Sequence, residues 1–443
     1  MTPFEAKLSA LLVECEKQLK PTLMISYKWV IIGGTQKKLQ PVLDKKSSLA
    51  YAYIRSHNNI TSLKSYFEAK DAFGRDNVFS TASRIAGYWG TFEALVQYLI
   101  VNSGNIKKKS ISINQPEALR ILREYRDTLT SRHIEFIGIA RLFGVNLRCK
   151  LMALPDGTTL YRLNRKERND RQPLIQQTFL SHTFEEELLG DHPAELRVPI
   201  TIPIDCSQDG ALFKAKNDAL KVAFDIFNKI HQSILIVSNG TARLGSVELQ
   251  GGLEQLPIGK SIIRDFPPHT NILLSTADVE KIRVAYDLLS GGKTSDKTFS
   301  RALHRYILGR QRPNLVDKLV DYVIAWEAIL LTQDGNPINQ ELSYRFALNG
   351  ASLIHIVRKD IAPNEIYKKM RSAYSTRSSI VHGSADKDVE KELRIGDFSN
   401  LSELCNFLED SFRLIIFHLS SVKAKDRPYR QSGGWESLLW PNK

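Results

Sequence analysis

An arginine and a histidine near the end of one predicted helix could together cleave a phosphodiester bond without a metal ion. They lie in the stretch Tyr374-Ser-Thr-Arg377-Ser-Ser-Ile-Val-His382-Gly383. A guanidinium is a permanent cation that can stabilise charge on a phosphate. An imidazole can accept and donate a proton near neutral pH. Arg377 and His382 are therefore candidates for the catalytic pair of a metal-independent ribonuclease.

The helix that carries this pair is predicted by its apolar spacing and by its ends. Its apolar positions follow one another in steps of four, three and seven, which predicts a core-facing stripe: Ile366, Met370, Ala373 and Ile380. The next position of the stripe after Ala373 is Arg377. Pro363 suits the first turn of a helix, and Gly383 suits the left-handed residue that ends one, so His382 is placed in the last turn.

Two interpretations of the pair are compatible with the sequence. An arginine on a core-facing stripe is costly unless it is paired or lines a wet cleft. Arg377 and His382 are separated by about 140° around an ideal helix and by roughly 7.5 Å along it. They do not share a face, but a long arginine and an unwound last turn would let both reach one cleft. The alternative is a capping histidine and a buried structural ion pair.

The composition is that of a soluble protein with room for two or three domains. The chain has 443 residues, of which 42% are hydrophobic and 25% are charged. Because there is no apolar run of membrane-spanning length and no signal-peptide pattern at the N-terminus, we expect a cytoplasmic protein without membrane contact. The cysteines and histidines lack metal-ligand spacing, so no metal and no cofactor are expected.

The net charge of +13 and the pI of about 9.4 are compatible with a polyanionic partner, most plausibly nucleic acid, or with a basic but solvated surface. The densest basic segment is open to the same two interpretations, a phosphate-contacting loop or a solvated hairpin arm. Its cations are Arg162, Arg165, Lys166, Arg168 and Arg171.

The predicted fold is a helix-rich α+β fold, in which a mixed α/β N-terminal region precedes an all-α antiparallel helical bundle. Residues 1–145 are predicted to be mainly helical. Residues 146–270 are predicted to be β-rich, with one helix at 211–230 and an irregular linker at 240–268. The predicted bundle spans 277–425, with helices at 277–290, 296–309, 314–332, 338–358, 364–382 and 399–421. The basic tail 426–443, which contains Trp435 and Trp440, is expected to dock on its own domain or on a partner.

The bundle resembles the HEPN superfamily, in particular its Apea-like branch. Three stretches carry the resemblance: Leu319-Val-Asp-Tyr-Val-Ile-Ala-Trp-Glu327-Ala-Ile, Leu342-Ser-Tyr-Arg345-Phe-Ala-Leu, and the Arg-x4-His motif from Arg377 to His382. The combination covers less than a third of the chain. The resemblance implies a metal-independent endoribonuclease that is active as a homodimer, with two Arg/His pairs brought to one cleft. It also implies a toxin or an abortive-infection effector of antiviral defence.

The resemblance also assigns roles to individual residues. Arg377 would hold the scissile phosphate, and His382 would exchange a proton with the 2′-hydroxyl or the leaving 5′-oxygen. Glu327, Arg345 and Tyr374 would support the site, or Glu327 and Arg345 would form a structural ion pair. Many active members place Asn, Asp or His directly after the motif arginine, where this chain has Ser378.

A second candidate pair lies nearer the N-terminus. Arg126 and His133 are seven residues apart in a predicted helix at 116–133, which would place them on roughly one face. Asp127 matches the polar residue that the resemblance expects after the motif arginine.

The sequence therefore predicts an RNA-cleaving effector with a helical catalytic domain, in which the N-terminal region senses a regulatory protein or a phage-derived trigger, selects substrate or restrains activity. The competing prediction is a non-catalytic module that binds nucleotide, RNA or a protein partner in the same Arg/His cleft.

Overall fold

The computed structural model describes most of the chain, with gaps. The described residues are 1–18, 26–32, 36–42, 63–75, 92–107, 110–130, 133–163, 194–204, 211–251, 258–260, 272–291 and 296–439. They form two compact units, each built from several chain segments. Unit 1 comprises Met1–Arg141, Gly157–Ile226 and Gly245–Ile262, and unit 2 comprises Leu142–Asp156, Phe227–Leu244 and Ile263–Lys443. This division differs from the predicted ranges, because the tail shares a unit with the bundle and most of 146–270 shares a unit with the N-terminal region.

Unit 1 combines helices with antiparallel strands. Its helices are α1 (Pro3–Gln18), α2 (Tyr66–Arg75), α3 (Phe92–Ser103), α4 (Gln115–Thr130) and α5 (Ala211–Val237, whose last turns belong to unit 2). Its strands are β1 (Ser26–Ile32), β2 (Gln36–Val42), β3 (Gly104–Lys107), β4 (Ser110–Ile113), β5 (His133–Phe143), β8 (Thr159–Arg162), β9 (Ala194–Pro203), β10 (Arg243–Gly251) and β11 (Ile258–Lys260). The last two residues of β5 and the first two of β10 are assigned to unit 2. The pairs β1–β2 and β3–β4 are antiparallel hairpins.

The main sheet of unit 1 has the neighbour order β11–β10–β5–β9–β8. The pair β8–β9 is antiparallel, with Arg162 opposite Ala194. Helix α5 packs closely on the sheet at Gly138, where an added Cβ would lie 2.9 Å from the Cβ of Ala223. A glycine is required there because the helix and the strand approach each other too closely for a side chain.

Unit 2 is dominated by helices. Its short strands are β6 (Val145–Leu147), β7 (Leu151–Ala153), β12 (Ile272–Leu274), β13 (Thr332–Gln333) and β14 (Asn336–Pro337). Its helices are α6 (Val279–Leu289), α7 (Lys297–Arg310), α8 (Leu315–Leu330), α9 (Leu342–Val357), α10 (Pro363–Val381), α11 (Asp386–Ile395), α12 (Leu401–Ser421) and α13 (Gly434–Leu439). The parallel pair β6–β12 places Val145 opposite Ile272.

The core of unit 2 lies between α7, α8 and α12 and continues between α9 and α10. Aromatic rings fill its centre: Trp326 packs edge-on against Phe412 with 4.9 Å between ring centroids, and Tyr306 stacks on Phe412 at 5.0 Å. Burial of such rings is the largest single contribution to a core of this size. The prediction of a helix-rich α+β fold is confirmed.

The structure corrects several predicted elements. The predicted helix at 116–133 ends at Thr130, and His133 begins the long strand β5. The stretch 240–268, predicted to be irregular, contains β10 and β11. Its glycines suggested a linker, but Val247 and Leu249 alternate into the core as strand residues do. Helix α11 was not predicted, because Leu393 is its only buried residue and leaves little apolar signal.

The C-terminal segment packs against unit 2. The indole Nε1 of Trp435 donates a 2.8 Å hydrogen bond to the backbone carbonyl of Thr332, and Tyr429 is fully buried. Trp440 lies outside the described residues. Docking on its own domain was one of the two predicted roles of this segment.

Candidate functional site

Helix α10 has the ends that its sequence predicts. Pro363 occupies the first helical position after Ala362. At the other end Gly383 adopts a φ of +70°, its N–H donates to the carbonyl of Ile380, and the N–H of Ser384 donates to the carbonyl of Ser379. This pair of hydrogen bonds is the Schellman motif, which requires a left-handed residue at the glycine position. His382 is consequently the residue that caps the helix.

The partner helix of α10 is α9, and the two run antiparallel. The ring of Phe346 lies 5.3 Å from that of Tyr374, and Gly350 lies against the side chain of Met370. These two contacts fix the register, so Arg377, one turn beyond Tyr374, lies level with the first turn of α9. The core-facing stripe of α10 is observed, with Met370 fully buried.

Arg377 is half-buried, and its guanidinium lacks both an ion-pair partner and a hydrogen-bond partner for its Nε in the described part of the chain. Its Nε is buried and has no hydrogen-bond partner, and within the described ranges Arg377 forms no ion pair. Leaving a cation in such surroundings costs free energy unless water or a ligand compensates for it. Arg377 is therefore not sealed in dry packing against a carboxylate, as the structural alternative requires.

Glu327 of α8 and Tyr374 share the electrostatic environment of Arg377. Burial raises the pKa of the Glu327 carboxyl, and the positive charge of Arg377 opposes this shift only in part. Burial also raises the pKa of the Tyr374 hydroxyl; the charge of Glu327 adds to the shift and that of Arg377 opposes it. The three side chains thus lie within electrostatic range of one another, without a direct Arg377–Glu327 ion pair.

Arg345 lies on the first turn of α9. Its Nε is buried without a hydrogen-bond partner, and it is 3.8 Å from the carboxylate of Glu341, one helical turn away. Its described contacts do not include Glu327 or Arg377. The structure thus brings Glu327 and Tyr374 near Arg377, whereas the described ion-pair partner of Arg345 is Glu341, the residue that precedes α9.

His382 is exposed at the end of α10, and its N–H donates a 3.0 Å hydrogen bond to the carbonyl of the half-buried Ser378. Since α10 is regular up to Val381, the side chains of Arg377 and His382 start about 140° apart and roughly 7.5 Å apart along the axis. A ligand that contacts both side chains would therefore require the guanidinium of Arg377 to extend along the helix towards its carboxyl end.

The structure separates the second candidate pair. Arg126 is half-buried and Asp127 is exposed near the end of α4, whereas the exposed His133 is the first residue of β5. The argument that Arg126 and His133 share one helical face is therefore wrong, because the helix ends between them.

The basic segment is described only at its first residue. Arg162 is exposed at the end of β8. Arg165, Lys166, Arg168 and Arg171 lie outside the described residues.

Two buried charge clusters in unit 2 were not predicted. Arg310, 2% exposed, forms an ion pair with Glu409, which also accepts a hydrogen bond from the hydroxyl of Tyr322. Asp296 forms an ion pair with Arg427. The partners are about a hundred residues or more apart in sequence, so no local pattern could have identified them.

No protein-family model, curated protein or solved structure matches this chain. The resemblance to HEPN proteins therefore depends on the motif residues alone. No helix in the described part of the chain has the length and apolar character needed to cross a lipid bilayer.

Proposed function

We propose that this protein is a metal-independent endoribonuclease of the HEPN type that serves as a toxin or abortive-infection effector in antiviral defence. The observation that carries the proposal is the half-buried guanidinium of Arg377, whose buried Nε has no hydrogen-bond partner. A phosphate would supply the missing negative charge and the missing acceptors. Glu327 is close enough to affect the electrostatics, yet it does not form an ion pair with this cation.

The chemistry follows from the two side chains. Arg377 would hold the scissile phosphate and stabilise the charge that develops in the transition state. His382 would exchange a proton with the 2′-hydroxyl or with the leaving 5′-oxygen. The 2′-oxygen attacks phosphorus, the bond to the 5′-oxygen breaks, and the products carry a 2′,3′-cyclic phosphate and a 5′-hydroxyl. A homodimer would bring two such pairs to one RNA and supply both proton transfers.

The test is RNA cleavage in the presence of EDTA. Purified wild type should cleave total RNA to fragments with cyclic-phosphate ends. His382→Ala should reduce the rate by about 10²–10⁴-fold, the usual contribution of a general acid or base. Arg377→Ala should reduce it by about 10²–10³-fold, as the loss of one charge-stabilising donor does. Arg283→Ala removes an exposed arginine of α6 and should leave the rate unchanged.

Two results would decide against the enzyme. If wild type binds RNA but leaves it intact, the protein is a non-catalytic module, and weaker binding by Arg377→Ala would identify Arg377 as its anion pocket. If cleavage survives in both His382→Ala and Arg377→Ala, the site lies elsewhere. Light scattering on the same preparation should give the mass of a homodimer.

A further inference from the structure

Helix α7 contains no acidic residue, and its basic side chains other than the buried Arg310 lie on one face. The helix, Lys297–Arg310, contains no Asp or Glu. Lys297, Arg301, His304 and Arg305 fall within an arc of about 100° around the helix axis. The first three are exposed, and within the described ranges Lys297 and Arg301 form no ion pair. The only other charged residue of α7, Arg310, is buried in the ion pair with Glu409.

A buried carboxylate fixes two arginines at the end of this face. The Nη1 of Arg305 donates a 3.0 Å hydrogen bond to Oδ1 of Asp321, and the Nε of Arg312 donates a 2.8 Å hydrogen bond to Oδ2. The side chain of Asp321 is 4% exposed, whereas those of Arg305 and Arg312 are 41% and 44% exposed. One acid below the surface therefore holds two guanidiniums at the surface.

This arrangement differs from that of an ordinary solvated helix. Each guanidinium has five N–H donors, and Asp321 occupies one of them on each arginine, so most donors remain available. Fixing the two side chains in advance reduces the entropy lost when a ligand binds. On α6, by contrast, the exposed cations Lys281 and Arg283 are flanked by the acids Glu280 and Asp287, and Arg283 pairs with Glu280 at 3.4 Å.

An exposed acid in the electrostatic environment of Arg312 does not remove the positive charge of this face. Asp317, in the first turn of α8, contributes to the electrostatic environment of Arg312. Together with Asp321 it offsets two of the four permanent cations, Lys297, Arg301, Arg305 and Arg312. The remaining charge and the free donors face solvent, which suits a chain of phosphates better than a single carboxylate.

We propose that the α7 basic face, defined as Lys297, Arg301, His304, Arg305 and Arg312, binds the phosphodiester backbone of nucleic acid. Arg305 and Arg312 donate hydrogen bonds to phosphate oxygens, and Lys297 and Arg301 extend the contact along the strand. Contacts of this kind fix the position of the backbone without selecting its sequence. This inference does not depend on the nuclease proposal, because it concerns other residues.

The test uses a probe that cannot be cleaved through its 2′-hydroxyl. Fluorescence anisotropy should be measured with a labelled 2′-O-methyl RNA oligonucleotide and with DNA of the same sequence, over a series of salt concentrations. Binding is then measured whether or not the protein is a nuclease. Equal binding of both probes indicates that the face contacts phosphates alone, and tighter binding of the RNA probe indicates that the sugar contributes. Both outcomes support the inference.

Four variants distinguish the α7 basic face from net charge. Lys297→Gln/Arg301→Gln should weaken binding by about fivefold per lost contact at 0.1 M salt. The slope of the logarithm of the binding constant against the logarithm of salt concentration should become shallower by about 1.4. Lys281→Gln/Arg283→Gln removes the same charge from α6 and should bind as wild type does. Arg305→Gln/Arg312→Gln should weaken binding at least as much as the first variant. Arg305→Lys/Arg312→Lys keeps the charge and should bind less tightly with an unchanged slope, since Lys lacks the fork of donors.

The Arg305/Arg312 variants change the two hydrogen-bond partners of the buried Asp321, so their folding should be checked by circular dichroism. Lys297→Gln/Arg301→Gln does not involve Asp321 and tests the inference even if those variants unfold. Failure of wild type to bind either probe would overturn the inference. So would an equal loss of affinity in the α6 control and in Lys297→Gln/Arg301→Gln.

Discussion

Arg427→Met should destabilise unit 2 by about 3–5 kcal/mol, because it removes the only fully buried cation among the described partners of a buried carboxylate, Asp296. The side chains of Arg427 and Asp296 are 1% and 0% exposed, and Nη1 lies 2.8 Å from Oδ2. Asp296 also accepts hydrogen bonds from the hydroxyl of Tyr429 at 2.7 Å and from the N–H of Phe299 at 3.2 Å. The guanidinium of Arg427 also lies over the ring of Phe299, with Cζ 4.5 Å from the ring centroid, so methionine removes this cation–π contact together with the ion pair.

The size of the effect can be measured in two ways. For a domain of roughly 150–250 residues, 1 kcal/mol shifts Tm by about 2–4 °C, so Tm should fall by about 6–20 °C. Urea unfolding, monitored by circular dichroism and by the fluorescence of the buried Trp435, should have its midpoint at a lower urea concentration than in wild type. A native domain is stable by only about 5–15 kcal/mol, so the variant should be close to unfolding at 37 °C.

Arg430→Met is the matched control. Arg430 approaches the same carboxylate at 3.3 Å, but its side chain is 34% exposed. An exposed ion pair contributes about 0–1 kcal/mol, so this variant should unfold near the wild-type midpoint. If both variants shift the midpoint equally, burial does not set the strength of the Arg427 ion pair and the reasoning fails.

The same cluster predicts a pH dependence. Burial by itself would raise the pKa of Asp296, but the hydrogen bonds from Tyr429, Phe299 and Arg427 and the charge of Arg427 outweigh it, so the pKa is lowered. A lowered folded-state pKa stabilises the protein above the ordinary value of 3.8 and ceases to do so as pH falls through the folded-state value. The stability gap between wild type and Arg427→Met should therefore narrow below about pH 4. A gap that is constant from pH 7 to pH 3 would contradict this assignment.

Three further predictions concern single side chains. Burial raises the pKa of Glu327, so its negative charge lowers the stability of the fold as pH rises above the ordinary value of 4.5. Glu327→Gln should therefore have the same Tm as wild type near pH 4 and a higher Tm at pH 7. A Tm of the variant below that of wild type at pH 7 would contradict this. Gly383 has a φ of +70° and open space around it, so Gly383→Ala should cost about 1 kcal/mol in urea unfolding and Gly383→Asn less, because only backbone strain is added. Burial raises the pKa of the Cys405 thiol to about 12, so iodoacetamide at pH 8 should label it only after unfolding, as peptide mass spectrometry would show.

Local rules determined helix α10 from the sequence. Proline at its start, glycine past its end and apolar residues on one face depend on neighbours within a few positions. The structure reproduces these features from Pro363 to the left-handed Gly383. The same rules did not predict α11, whose single buried residue, Leu393, leaves too weak a pattern.

The sequence by itself determined that the fold is helix-rich α+β and that Arg377 lies on the core-facing stripe of α10, because both depend on local periodicity. Only the tertiary structure decided which charges are paired. It gave Asp296 a partner 131 residues away and joined Arg305 and Arg312 through Asp321, while Arg377 was left without an ion pair in the described part of the chain. The physical reason is that a charge is compensated by groups that the packing of distant helices brings within a few ångströms. The local sequence does not specify which distant residues these are.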